Sequence, residues 1–234
     1  MKKFLTLLLI FAIGFICIPK VWAQATISGK INFEGTAPVQ KPINFGPEKQ
    51  CALAHGDKPP LEETVVVNPN KTLKNALVYI KEGISGSSET PKDPVVIDQK
   101  GCTFSPHVST AMVGQTVRFH NSDDLLHNVR TVSQKGQTFN IAQPIKDMHI
   151  DKTFKQSEIG IQLKCDVHFW MLAYLHIFDH PFFAVTGDDG GFTISNLPAG
   201  NYTLEVWHEK LGTQTQSITI AENEQKTADF KYTM

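Results

Sequence analysis

Helical periodicity, surplus positive charge and long apolar runs are all scarce in this 234-residue chain. Almost nowhere do apolar residues recur at the spacing of a helix face, which argues against a helical fold. Basic and acidic side chains nearly balance, 22 against 23, and no basic stripe offers a nucleic-acid footprint. The longest apolar run, from Phe4 to Ile18, falls short of the roughly 20 residues that cross a bilayer comfortably. No repeat array and no low-complexity tail are visible. Cys51-x3-His55 lacks the C-x-x-C-H attachment sequence of covalent haem. His176 and His180 are four apart, but on a predicted strand and without the Glu of a zincin helix, so they are read as surface or packing residues. His107, His120 and His208 have no neighbouring ligand pattern.

The start of the chain is a secretory signal, residues 1–23: Met1-Lys2-Lys3, the apolar run, then Val21-Trp22-Ala23. A cut after Ala25 fits as well, and bulky Ile16 argues against a lipoprotein site at Cys17. Cleavage removes Lys2, Lys3 and Lys20 and no acid, which leaves a net charge of about −4 with His neutral. The mature chain is expected to be periplasmic or secreted, without stable membrane insertion. Three cysteines survive: Cys51, Cys102 and Cys165. An oxidising compartment would pair two of them. If Cys165 holds a metal, Cys51 and Cys102 are the natural disulfide; the plain alternative is that both stay free and buried.

Strand signals run through the rest. Ile27, Ile31 and Phe33 alternate with polar residues, and short strands are predicted at Val65–Val67 and Ala76–Ile80, around an irregular loop from Pro42 to Pro60. Residues 83–94 are a Ser/Gly/Pro connector. Further strands are predicted at Val95–Ile97, Val117/Phe119, Phe139–Ala142, Thr153-Phe154, Ile161/Leu163/Cys165 and Met171/Ala173/Leu175/Ile177. Phe192/Ile194, Tyr202/Leu204/Val206, Ile218/Ile220 and Ala228/Phe230/Tyr232 follow. Many short alternating strands between turns predict an all-β sandwich or barrel.

The richest chemistry lies in Cys165-Asp166-Val167-His168-Phe169-Trp170-Met171, read with His127-Asn128 upstream. One Cys, two His and a Met are the donors of a type 1 copper centre, in which a thiolate and two imidazoles form a near-trigonal plane and a thioether lies far along the axis. Structural zinc prefers four strong ligands, and a thioether is a poor one. The plain alternative is a buried thiol, a surface His and a core-filling Met.

Residues 95–180 resemble the cupredoxins, particularly plastocyanin and amicyanin, through Phe104-Ser105-Pro106, Val113-Gly114-Gln115-Thr116-Val117-Arg118-Phe119-His120-Asn121-Ser122-Asp123, His127-Asn128-Val129 and the Cys165 loop. The resemblance implies that His127, Cys165, His168 and Met171 bind one copper ion and that the Asn128 backbone N–H bonds the thiolate. The short C-x2-H-x2-M spacing is similar to amicyanin's, although Phe169 stands where amicyanin has Pro. Thr186–Ile194 and Leu197–Val206, with Ile27–Ile31 and Asn75–Ile80, resemble the carboxypeptidase regulatory-like, transthyretin-like β-sandwich.

The expected fold is thus a cupredoxin Greek-key β-sandwich (95–180) inserted in a transthyretin-like β-sandwich, whose halves are 24–94 with the connector and 181–234; two consecutive domains are the alternative. The expected function is a single-electron carrier and not an enzyme. His168, rimmed by Phe169 and Trp170, would be the exit to redox partner proteins in the cell envelope. The alternative is a binding or structural module with stored or structural copper.

Overall fold

The computed structural model describes residues 24–86 and 88–234; the expected signal, with Cys17, lies outside the described residues. The chain opens with β1 (Ala25–Glu34), a short helix α1 (Lys49–Leu53) and β2 (Leu77–Glu82). Then come β3 (Val95–Lys100), β4 (Thr103–Ser105), β5 (Val108–Met112), β6 (Thr116–Asn121), β7 (His127–Val132), β8 (Asn140–Gln143), β9 (His149–Thr153), β10 (Glu158–Lys164) and β11 (Leu172–Phe178). The last six are β12 (Phe183–Val185), β13 (Gly191–Leu197), β14 (Gly200–His208), β15 (Gly212–Ile220), β16 (Gln225–Thr227) and β17 (Phe230–Thr233). The protein is all-β, and α1 is the one α-helix among the described residues. No helix among them is long and apolar enough to cross a membrane.

Four sheets make two sandwiches. In the first, β13, β1 and β16 lie side by side with β17 also on β1, and they face a sheet ordered β12-β2-β14-β15. β1 and β2 thus find their partners among strands that begin more than a hundred residues later, and neither sheet forms from one half of the chain alone. The alternating residues of the sequence fill the interior: Ile27, Ile31, Phe192, Ile194, Leu204 and Val206 are all buried there. Each such side chain contributes about 1.5–3 kcal/mol on burial. β1 pairs in parallel with β16 through Ser28 and with β17 from Ile31 onward. Gly29 sits at that change of partner, where an added Cβ would meet the Ala228 carbonyl oxygen at 2.0 Å. At the Pro198–Gly200 turn, the Tyr202 hydroxyl donates to Pro198 O at 2.8 Å and so fixes the start of β14.

The second sandwich packs β4-β3-β6-β9 against β5-β11-β10-β7-β8, around Ile97, Val117, Phe119, Ile161, Leu163 and Leu175. β11 is buried on both faces. Ala173, Leu175 and Ile177 point into its own core, whereas Phe178 packs on Leu77 and Tyr79 of the other sandwich and His176 lies 4.5 Å from Trp207, centroid to centroid. That explains why its sequence is apolar at nearly every position rather than at every second one.

The structure corrects two sequence expectations. Val65–Val67 is no strand; Val67 makes a single bridge to Leu73, because the segment turns back at once through Asn68–Lys71. Residues assigned to the first half of the transthyretin-like sandwich also divide their allegiance: Phe45 and Cys51, within the loop after Pro42, join the core of the β3–β11 sandwich. A disulfide to Cys102 holds them there.

Candidate metal centre

Alternation along β10 places Ile161, Leu163 and then Cys165 inward, so the cysteine arrives buried at the strand's end. β7 is the hydrogen-bonded neighbour, with Lys164 opposite Arg130, and the antiparallel register brings His127 to the same end. The loop after Cys165 closes on itself through Met171 N–H to His168 O at 2.9 Å, which turns His168 back over the thiol.

The donors converge. His127 Nδ1 and His168 Nδ1 are 2.9 Å apart and Cys165 Sγ is 3.8 Å from His168 Nδ1; one donor atom from each of the three lies within 4.8 Å of the others. All three residues are buried, and Met171 is buried in the same core. Cys165 is the free cysteine among the described residues.

His127 is held from behind. Its Nε2 donates to Asp123 Oδ2 at 2.9 Å, and the same carboxylate accepts the Gly101 N–H at 2.7 Å and the Cys102 N–H at 2.8 Å. With its hydrogen committed on Nε2, a neutral His127 presents a Nδ1 lone pair to the cluster, which is the arrangement that suits a metal ligand. Burial opposes ionisation of Asp123, but its bonds from His127, Cys102 and Gly101 outweigh that and hold the carboxyl below its ordinary range. Burial likewise opposes a charged His127, yet Asp123 and the Cys165 sulfur raise it. For Cys165, burial would raise the thiol; hydrogen bonds from His127, His168 and the Asn128 and His168 backbone N–H groups bring it down to about 6. The site therefore favours a thiolate, the form in which cysteine binds metals.

Asn128 does more than the sequence suggested. Beside its backbone bond to the sulfur, its side-chain oxygen accepts the Asp166 N–H at 2.6 Å and lies 3.3 Å from Sγ, while its amide donates to Asn140 Oδ1 at 2.7 Å. It thereby fastens β7 and β8 to the cysteine loop. Asp123 lies among the polar residues Asn121 to Asp124, and its place four residues before His127 is the signal the sequence carries.

His168 is only 2% exposed: the Cys51–Cys102 disulfide and Trp170 lie against it. Trp170 is half-buried, donating Nε1–H to Cys102 O at 2.9 Å, and so forms a wall of the site. Phe169, by contrast, is 81% exposed. His107, His120, His176, His180 and His208 lie away from the cluster, His120 against Asp98 and His107 against Glu209.

Residues 179–233, which carry β12 to β17 of the first sandwich, match the family model of the carboxypeptidase regulatory-like domain. No curated protein matches the chain. Similar solved structures include a copper-containing nitrite reductase from Thermus scotoductus SA-01, with 19% identity and a TM-score of 0.36 over 42% of this chain and 26% of that one. A purple cupredoxin from Nitrosopumilus maritimus has 19% identity and a TM-score of 0.31, over 36% of this chain and 98% of that one. Amicyanin from Paracoccus versutus has 19% identity and a TM-score of 0.33, over 43% and 96%. The chain thus spans about a quarter of the nitrite reductase.

Proposed function

We propose that the mature chain is an exported mononuclear type 1 copper protein that carries single electrons and catalyses no reaction of its own. The observation that carries this reading is the meeting of His127 Nδ1, His168 Nδ1 and Cys165 Sγ in one buried cluster, with His127 oriented by Asp123. Copper, when bound, supplies a Cu(II)/Cu(I) couple suited to one-electron exchange. The chain's part is to hold one imidazole at the start of β7 and the other with the thiolate in the loop after β10, so that the protein sets their positions. Met171 adds a soft thioether at the end of the same loop, and burial keeps water out. Leu126, Val167 and Phe169, each beside a ligand or within the ligand loop, expose apolar surface. They suit the small, weak contact of a redox partner in the cell envelope.

The test is reconstitution of residues 24–234 with Cu(II), followed by visible absorption and electron paramagnetic resonance beside Cys165→Ser. An intense thiolate-to-copper band in the wild type, lost in the variant, is expected. A wild type without the band, or a variant that keeps it, overturns the copper reading. The burial of His168 favours a second reading, a module that stores copper. Reversible one-electron voltammetry supports the carrier, and bound copper that does not cycle supports the store.

A further inference from the structure

Part of the cover over His168 comes from sequence that precedes β3. Residues 43–56 run across the metal-site end of the β3–β11 sandwich; three contacts hold them down, and one stack braces them from within. Cys51 is bonded to Cys102. His55 Nε2 lies 2.7 Å from Gly101 O, the Phe45 ring stacks on His55 at 5.4 Å, and its other contact is edge-on to Trp170 at 5.4 Å. Both disulfide sulfurs lie within 4.8 Å of a His168 ring nitrogen.

The same disulfide reaches the other imidazole by a second route. Cys102 N–H and Gly101 N–H are bound by the Asp123 carboxylate that orients His127. Cys102 O receives the Trp170 indole N–H, and Trp170 in turn packs on His168 at 5.1 Å. The disulfide thus lies against His168 and is joined to His127 through the Asp123 carboxylate.

We infer that the Cys51–Cys102 disulfide, with the Phe45–His55 cap it pins, is a positioning element of the metal centre: it fixes His168 by direct packing and His127 through Asp123. The inference rests on the copper reading above. A partner that orients a ligand from behind the metal typically controls affinity and electronic structure, whereas a merely structural disulfide controls only the melting temperature.

The test uses the copper-loaded mature chain, with three variants beside wild type: Cys51→Ala/Cys102→Ala, Phe45→Leu and Asp123→Asn. Copper removal by a chelator, electron paramagnetic resonance and the visible response to added imidazole are measured on each below its melting temperature. The double variant should release copper about 10- to 100-fold more readily, show shifted hyperfine splitting and become sensitive to imidazole. Phe45→Leu, which keeps the disulfide, should move the same readouts in the same direction by less, and Asp123→Asn should shift the hyperfine splitting. A folded double variant with wild-type spectra and chelator kinetics overturns the inference. Should the double variant fail to fold, unchanged spectra in both Phe45→Leu and Asp123→Asn overturn it instead. Absence of the charge-transfer band in the wild type is a separate outcome, which removes the copper reading and this inference with it.

Discussion

The two sandwiches use their buried polar groups differently. In the sandwich that contains β1 and β2, such a group serves its own neighbourhood: Thr186 Oγ1 donates to Leu73 O and accepts the Ala76 N–H, and goes no further. In the β3–β11 sandwich the buried amides form a chain that leads to the His127–Cys165–His168 cluster. Gln99 donates to Gln143 Oε1 at 2.6 Å, and Gln143 donates to Phe119 O and Met148 O. Asn121 donates to Gln143 O and Leu125 O, while its oxygen accepts the Asp123 N–H at 3.0 Å. Gln99 Oε1 has no hydrogen-bond partner among the described residues, but the Gln143 and Asn121 amides are satisfied, and satisfied buried amides rigidify what they hold. Here they hold the turn from Asn121 to His127. One sandwich is organised for stability, and the other gives interior volume to geometry.

Two substitutions separate these roles. Leu204 lies fully buried in the first core, and Leu204→Ala should lower unfolding free energy by about 2–5 kcal/mol while the Cu(II) spectrum of the folded protein stays unchanged. Denaturant unfolding and electron paramagnetic resonance on one sample measure both. Asn121 is equally buried, and Asn121→Ala should cost less, about 1–3 kcal/mol. It should nonetheless disturb the spectrum, because Asp123 loses the bond that fixes its turn. If Leu204→Ala perturbs the spectrum as strongly as Asn121→Ala does, the contrast between the sandwiches collapses.

The strands and the convergence of His127, Cys165 and His168 are legible in the sequence, because alternation and the tight Cys165–His168 spacing are short-range signals. Ile27/Ile31, Phe192/Ile194 and Leu204/Val206 announce one buried face each by alternation, and all are buried. Cys165 and His168 sit in one tight loop, and His127 follows a turn. What escaped notice depends on contacts between distant parts of the chain. Asp123 lies in a run of Asn, Ser and Asp that reads as a solvated turn. Only the folded turn brings its carboxylate onto His127 and onto the Gly101–Cys102 backbone. Phe45 and His55 sit in a Pro/Gly/Lys-rich loop without periodicity, and nothing local shows that this loop crosses to the other sandwich and covers His168.

The seam between the sandwiches offers the smallest and most selective test. His176 lies in it, fully buried, with Nδ1 accepting the Gly160 N–H at 3.1 Å and Nε2 without a hydrogen-bond partner among the described residues. Burial pushes its folded-state value down to about 3, so the imidazole stays neutral in the native protein through mildly acidic conditions. The unfolded chain takes up a proton near the ordinary histidine value of about 6.5. Stability from this depressed group is therefore complete above that value and drains away as pH falls towards the folded one. Between pH 7 and 5.5 the loss should be about 1 kcal/mol. His176→Gln keeps an acceptor for Gly160 but cannot ionise, so its unfolding free energy should fall less over that interval than wild type's. Parallel curves for the two proteins would mean that the seam opens enough to solvate His176 in the folded protein.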